Sequence, residues 1–115
     1  MPKKVMLAED DRTMISLLTT LLKMEGFEVA VADIQSDVPS IVTKESPDHL
    51  VMDVHLAGKS GMDIVDIIRK NPVNRKVNIV MTSGLNVKEE CLKHGANHFL
   101  LKPFMPDDLI GLLKK

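Results

Sequence analysis

Tryptophan and tyrosine are absent from this 115-residue chain, Phe, Trp and Tyr together make up only 3%, and Cys91 is the one cysteine. A lone thiol rules out an internal disulfide and makes a reducing cytoplasm the simplest compartment. The scarcity of rings leaves an aliphatic, Met-rich core. Charge of one sign is lacking too: the formal net charge is −1 with no basic block, so nothing grips nucleic acid or anionic lipid by charge alone. The opening apolar run meets acid at Glu9, which reads as neither a signal peptide nor a membrane span. Repeats, low-complexity tracts and linker-like segments are also missing.

What remains fits one globular domain, residues 1–115, with 44% hydrophobic content. A domain of this size buries about two-thirds of its unfolded surface, enough to fold without disulfide or metal staples.

Short apolar runs alternate with amphipathic stretches. Val5 to Ala8 reads as a buried strand ending abruptly at Glu9-Asp10-Asp11. Met14, Leu17, Leu18, Leu21 and Leu22 recur at helical spacing, with Gly26 as a left-handed stop and Phe27 packing back. Val29 to Ala32 is a second run, followed by a weaker helix marked by Val38, Ile41 and Val42, which tolerates Pro39 in its first turn. His49 to Val54 is the third strand, and Ser60 with Asp63 resembles a capping box ahead of Ile64, Val65, Ile67 and Ile68. Val77 to Thr82 is the fourth strand, Asn86 and Glu89 are spaced as a cap and its partner, and Gly95 ends that helix. Phe99 to Leu101 is the fifth strand. Pro106 opens a last helix with Asp107 and Asp108 in its first turn and Lys114 and Lys115 in its last. Five βα units in succession predict a parallel sheet covered by helices on both faces. Continuously apolar strands agree with burial on both sides.

In an open sheet of this kind, ligands bind beyond the carboxyl ends of the strands. Those ends carry Glu9 and Asp10, then Asp53, then Thr82 and Ser83, then Lys102. Two carboxylates about 4 Å apart repel by roughly 4 kcal/mol at an effective dielectric of 20, so three need a cation among them. A few carboxylate oxygens, with room for water and a phosphate, suit Mg²⁺ better than zinc. Lys102 and the Thr82 hydroxyl are natural partners for the remaining oxygens of a phosphoryl group.

MLAEDD, MDVHLAGKSGMD, VMTSG and GANHFLLKPF, in that order, resemble the four signature segments of response-regulator receiver domains, and the likeness runs over essentially the whole chain. The resemblance, closest in kind to the chemotaxis regulators, implies a (βα)₅ flavodoxin-like fold with strand order 2-1-3-4-5. It implies that Asp53 accepts a phosphoryl group, with Mg²⁺ held by Asp10 directly, by Glu9 through water, by Asp53, and by the backbone carbonyl of His55. Asp11 would lie just outside. Thr82 would bond the phosphoryl group, Lys102 would pair with the carboxylate and then the phosphate, and Phe99 would be the aromatic switch. Lys102–Pro103 is expected to be cis.

The implied partners are a sensor histidine kinase or histidine phosphotransfer protein, and an output domain or target protein. The latter would meet the face made by the fourth helix, fifth strand and fifth helix, where Lys93, Asn97 and Asp108 are candidates. That face is also compatible with a phosphorylation-dependent dimer. Neither nucleic acid nor membrane is an expected partner, and the implied location is cytoplasmic. Such a domain assists its own phosphorylation and dephosphorylation and is not a turnover enzyme. The rival is a pseudo-receiver that binds partners without phosphorylation. A phosphatase of similar design would want a second Asp two residues after the nucleophile, where His55 stands. With no output module in view, the chain reads either as a stand-alone regulator or as a piece of a longer protein.

Several positions depart from the family pattern. Ala57 takes the place of a frequent Pro, which reads as loss of a stiffer loop; Phe99 replaces a frequent Tyr, and Ser83 a common Ala. His55 and Gly84 sit where dephosphorylation is tuned. Cys91, His94 and His98 have spacing that could suit zinc, but Gly95 breaks the helix between the histidines.

Overall fold

In the computed structural model, which describes residues 2–114, the five apolar runs become strands β1 (Lys4–Ala8), β2 (Glu28–Val31), β3 (His49–Asp53), β4 (Asn78–Ser83) and β5 (His98–Leu101). They pair in parallel in the order β2-β1-β3-β4-β5, as expected. Helices α1 (Arg12–Met24), α2 (Val38–Glu45), α3 (Gly61–Lys70), α4 (Lys88–His94) and α5 (Pro106–Leu113) fill the connections. Each crossover between parallel strands needs such an element. β3 is buried at every position, as befits the centre of the sheet.

Strand alternation sorts the core into two layers. Met6, Leu50, Met52, Ile79 and Met81 face Val38, Val42, Ile64, Val65, Ile68 and Cys91 of α2, α3 and α4. Val5, Leu7, Val51 and Val80 face Leu18 and Leu22 of α1 and Leu109 and Leu113 of α5.

Most helix ends follow from local chemistry. The Asp11 carboxylate accepts from the Thr13 and Met14 amides at 3.0 and 3.1 Å and so opens α1. Gly26, at φ +93°, closes it, and the Phe27 amide returns to the Leu22 carbonyl at 3.1 Å. Asp37 opens α2, and Ser46 ends it in the left-handed region. Only half of the capping box at α3 forms: Ser60 Oγ accepts from the Asp63 amide at 3.4 Å. Asn86 does not cap α4. Val87 holds the capping position without a side-chain bond, and the Asn86 carboxamide reaches only the Lys88 amide at 3.5 Å.

Two apolar positions expected in the core are not there: Leu17 is 51% exposed and Ile67 54% exposed. The apolar stripes of α1 and α3 are wider than the sheet can cover.

The segment after β3 is a small antiparallel hairpin, with His55 paired to Ser60 and Leu56 to Lys59. Its two turn residues, Ala57 and Gly58, have φ of +47° and +82°. Proline, fixed near −65°, cannot take the first of these values. Ala57 is thus part of a different turn, which corrects the expectation of a merely softened loop.

At the opposite edge of the sheet, Arg69 gathers two segments, the turn after α3 and the connection between α4 and β5. Its guanidinium donates to the Gly95 carbonyl at 2.9 Å, the Asn74 carbonyl at 3.2 Å and Asn97 Oδ1 at 2.7 Å.

Candidate functional site

The carboxyl edge of the sheet assembles the acids and the amine. Glu9, the first residue beyond β1, is 8% exposed. Its Oε1 accepts from the Asp10 and Asp11 amides, both at 3.1 Å, and its Oε2 lies 3.0 Å from Lys102 Nζ. Asp53 ends β3 and offers Oδ2 to the same ammonium at 2.5 Å, while Oδ1 accepts from the His55 amide at 3.0 Å. Lys102 is delivered by β5, since Leu101 is registered with Ser83 and the Lys102 amide donates to the Ser83 carbonyl at 2.8 Å. Thr82, 2% exposed, is the register partner of Asp53 on β4. The Lys102–Pro103 peptide is cis, as expected.

One oxygen each from Glu9, Asp10 and Asp53 lies within 4.8 Å of the others. Asp10 is exposed, whereas Glu9 is committed to backbone amides and Lys102. The cluster is a hard-oxygen donor set, which fits Mg²⁺ and offers no soft ligand to zinc.

The electrostatics follow from one cation shared between two largely buried acids. Burial pushes the Glu9 carboxyl above its ordinary range, against the opposing hydrogen bond from Lys102. For Lys102, burial alone would lower the ammonium's value, but hydrogen bonds to Asp53 and Glu9 outweigh it and the net shift is upward. The amine therefore stays charged.

Of the expected residues, Glu9, Asp10, Asp53, Thr82 and Lys102 share this edge. The main chain of His55 is there too, while its imidazole is exposed. Phe99 is not at the edge. It is registered with Met81 and half-buried against the layer formed by α2, α3 and α4. Asp11 is spent on capping α1, outside the cluster.

The zinc spacing comes to nothing among the described residues. Cys91 is wholly buried in the core, and His94 Nδ1 pairs with Asp66 at 2.8 Å. Asn97, expected at the partner face, has its Oδ1 occupied by the Ile79 amide at 2.8 Å and by Arg69. It braces β4 against β5. Burial drives the Cys91 thiol upward, with Glu90 adding to the effect, so the thiol stays protonated and inert.

Gly61 was not singled out by sequence, yet the site depends on it. A Cβ there would meet the Asp53 carbonyl oxygen at 2.5 Å, so only glycine lets α3 start this close to β3. A glycine eight positions after the strand-end acid was the available signal.

The strand order and the three acids with a lysine at the carboxyl edge define a doubly wound α/β domain with a candidate cation site at that edge. The family model described as the response regulator receiver domain matches residues 5–114, and the chain belongs to that family. Over 99% of its length the chain is 28% identical to the DNA-binding response regulator MtrA of Mycolicibacterium smegmatis, of which it covers 50%. It thus spans about half the length of the named relatives it matches. A solved chain from Chloroflexus aurantiacus described as a response regulator superposes with a TM-score of 0.90 at 30% identity, covering 99% of this chain and 96% of that one. The receiver domain of sensor histidine kinase PA1611 from Pseudomonas aeruginosa gives 0.84 at 26% identity, with 99% and 96% covered. That structure holds a magnesium ion coordinated in its active-site cleft. The protein is accordingly a receiver domain of two-component response regulators, a class of signalling domains. No described helix is long and apolar enough to cross a membrane.

Proposed function

We propose that residues 1–115 act as one phosphoacceptor receiver domain, in which the Asp53 carboxylate takes a phosphoryl group from a histidine kinase, a histidine phosphotransfer protein or a small phosphodonor. The observation that carries this reading is the single Lys102 ammonium set between Asp53, at 2.5 Å, and Glu9, at 3.0 Å, with an Asp10 oxygen close by.

An Asp53 oxygen attacks phosphorus as the phosphorus–nitrogen bond of the donor histidine breaks, and the leaving imidazole keeps the bonding pair. The product is an acyl phosphate on Asp53. Asp10, Asp53 and the His55 carbonyl, with Glu9 through water, would hold Mg²⁺, which would supply charge neutralisation for the carboxylates and the phosphoryl oxygens. The His55 amide fixes the rotation of the Asp53 carboxylate before reaction. Lys102 stays protonated and moves its hydrogen bond from carboxylate to phosphoryl oxygen as negative charge accumulates there. Thr82 donates its hydroxyl to another phosphoryl oxygen.

Movement of Thr82 toward the phosphate makes room for Phe99 to turn inward, which alters the groove between α4 and α5. Leu92, Phe99, Leu112, Lys88 and Asp108 line that groove, where an output domain or target docks. The domain assists its own phosphorylation and dephosphorylation without turning over a separate substrate, and it works in the cytoplasm.

Incubation with Mg²⁺ and acetyl phosphate tests the reading: wild type gains the mass of one phosphoryl group and Asp53→Asn does not. Equal labelling of both would remove Asp53 from the account. Absence of labelling in wild type would favour a module that binds partners without phosphorylation.

A further inference from the structure

The hairpin after Asp53 is fastened at a point that nothing in the proposed chemistry uses. Lys59 lies on its second arm, paired with Leu56, and its side chain crosses to the loop between β2 and α2. There Nζ donates to the Ile34 carbonyl at 3.1 Å and to the Ser36 carbonyl at 3.2 Å. That loop is itself closed on Asp33, which accepts from the Gln35 amide at 3.0 Å and from Ser36 Oγ at 3.1 Å. The two carbonyls are therefore held ready for a cation.

The other arm of the hairpin begins at His55, whose amide bonds Asp53 Oδ1 at 3.0 Å. The turn between the arms carries a non-glycine residue at φ +47°, a conformation that persists only where its surroundings enforce it. One end of the hairpin is secured by the Gly61 amide bonded to the Val54 carbonyl. The other end is secured by Lys59.

We infer that Lys59 is a positioning residue for the acidic site: by tying the hairpin to the β2–α2 loop, it holds the His55 main chain where its amide orients the Asp53 carboxylate, one of the three acids of the cluster. The inference rests on the receiver reading above. It assigns Lys59 no contact with phosphate or metal. Its effect runs through the hairpin.

The sign of the effect separates positioning from simple charge. Removing a cation near an acidic cluster should by electrostatics alone tighten Mg²⁺ binding. Loss of positioning should weaken it.

The test is calorimetric titration of Mg²⁺ into the full chain, wild type against Lys59→Met and Lys59→Arg, with amide NMR spectra recorded alongside. Lys59 is exposed, so both variants fold. Lys59→Met is expected to raise the Mg²⁺ dissociation constant by about three- to tenfold, the range that loss of one or two modest hydrogen bonds produces. It should also shift the His55 amide resonance. Lys59→Arg, able to reach the same carbonyls, should restore most of the affinity. An unchanged or lowered constant in Lys59→Met overturns the inference, and so does failure of Lys59→Arg to recover. Wild type that binds no Mg²⁺ and gains no phosphate from acetyl phosphate would instead bring down the receiver chemistry itself.

Discussion

Gly61→Ala probes how closely α3 is seated against the end of β3. The added methyl would lie 2.5 Å from the Asp53 carbonyl oxygen and 3.0 Å from Val54 Cα and Met81 Cε. The Met81 methyl can swing aside, but the other two neighbours are main chain. Gly61 is already drawn in by the bond from its amide to the Val54 carbonyl at 2.5 Å. Ordinary contact would require the start of α3 to retreat by about 1 Å. Forced insertions of this kind cost about 1–3 kcal/mol. Alanine recovers at most about 1 kcal/mol through its better helix propensity. With two of the three neighbours main chain, the upper part of the insertion range applies, about 2–3 kcal/mol, and the expected net loss is about 1–2 kcal/mol. Urea unfolding followed by circular dichroism reads this as a midpoint lowered by about 1 M, at a denaturant slope of about 1–2 kcal/mol/M. Because the crowded oxygen belongs to Asp53, Mg²⁺ affinity should fall with it. A midpoint equal to or above wild type would show that the close approach is not a real constraint.

Lys102→Met leaves Glu9 and Asp53 without their shared cation. Since the lysine side chain is 21% exposed, the cost should fall below the about 3–5 kcal/mol of a fully buried broken pair, near 1–3 kcal/mol at neutral pH. Thermal melts should show Mg²⁺ restoring more stability to this variant than to wild type, and equal gains would contradict the reading. His49 is 5% exposed, and burial, aided by Lys3, holds its imidazole below the ordinary value. The unfolded chain therefore binds the extra proton first, so stability should be fully present above about pH 6.5 and decline as pH falls toward the folded value. His49→Leu should flatten that slope in unfolding titrations. An identical slope would place the proton uptake elsewhere. Arg69→Met removes the bonds to Gly95, Asn74 and Asn97, and should cost about 2–3 kcal/mol. Combined with Asn97→Ala the losses should be sub-additive in denaturant unfolding; full additivity would mean the two side chains do not act together.

The strands were legible because each is an apolar run stopped by a charged or hydroxyl residue, and a sheet buried on both sides leaves no other reading for such runs. The site was legible for the same reason. Parallel topology sends every strand's carboxyl end to one edge, so Glu9, Asp10, Asp53, Thr82 and Lys102 could be grouped before any distance was known. The sharing of one ammonium by two acids was not legible, because it depends on the path of a side chain. Leu17 and Ile67 were misplaced because helical periodicity marks an apolar face without showing how much of it the sheet covers. The hairpin escaped because Ala57 carries no turn signature, and its positive φ is imposed by pairing on either side. Arg69 escaped for a further reason: a guanidinium that serves backbone carbonyls leaves no complementary charge in the sequence to announce it.

The contact between Lys102 and Glu9 joins residues 93 positions apart, and that between Lys102 and Asp53 spans 49. The amine arrives only once the fifth strand, on the sheet's outer edge, has been laid down. A chain still emerging from the ribosome, or one whose last strand has come loose, thus carries its acids without their counter-ion. Competence of this edge is a reporter of finished architecture, and unzipping of a single peripheral strand is enough to silence it.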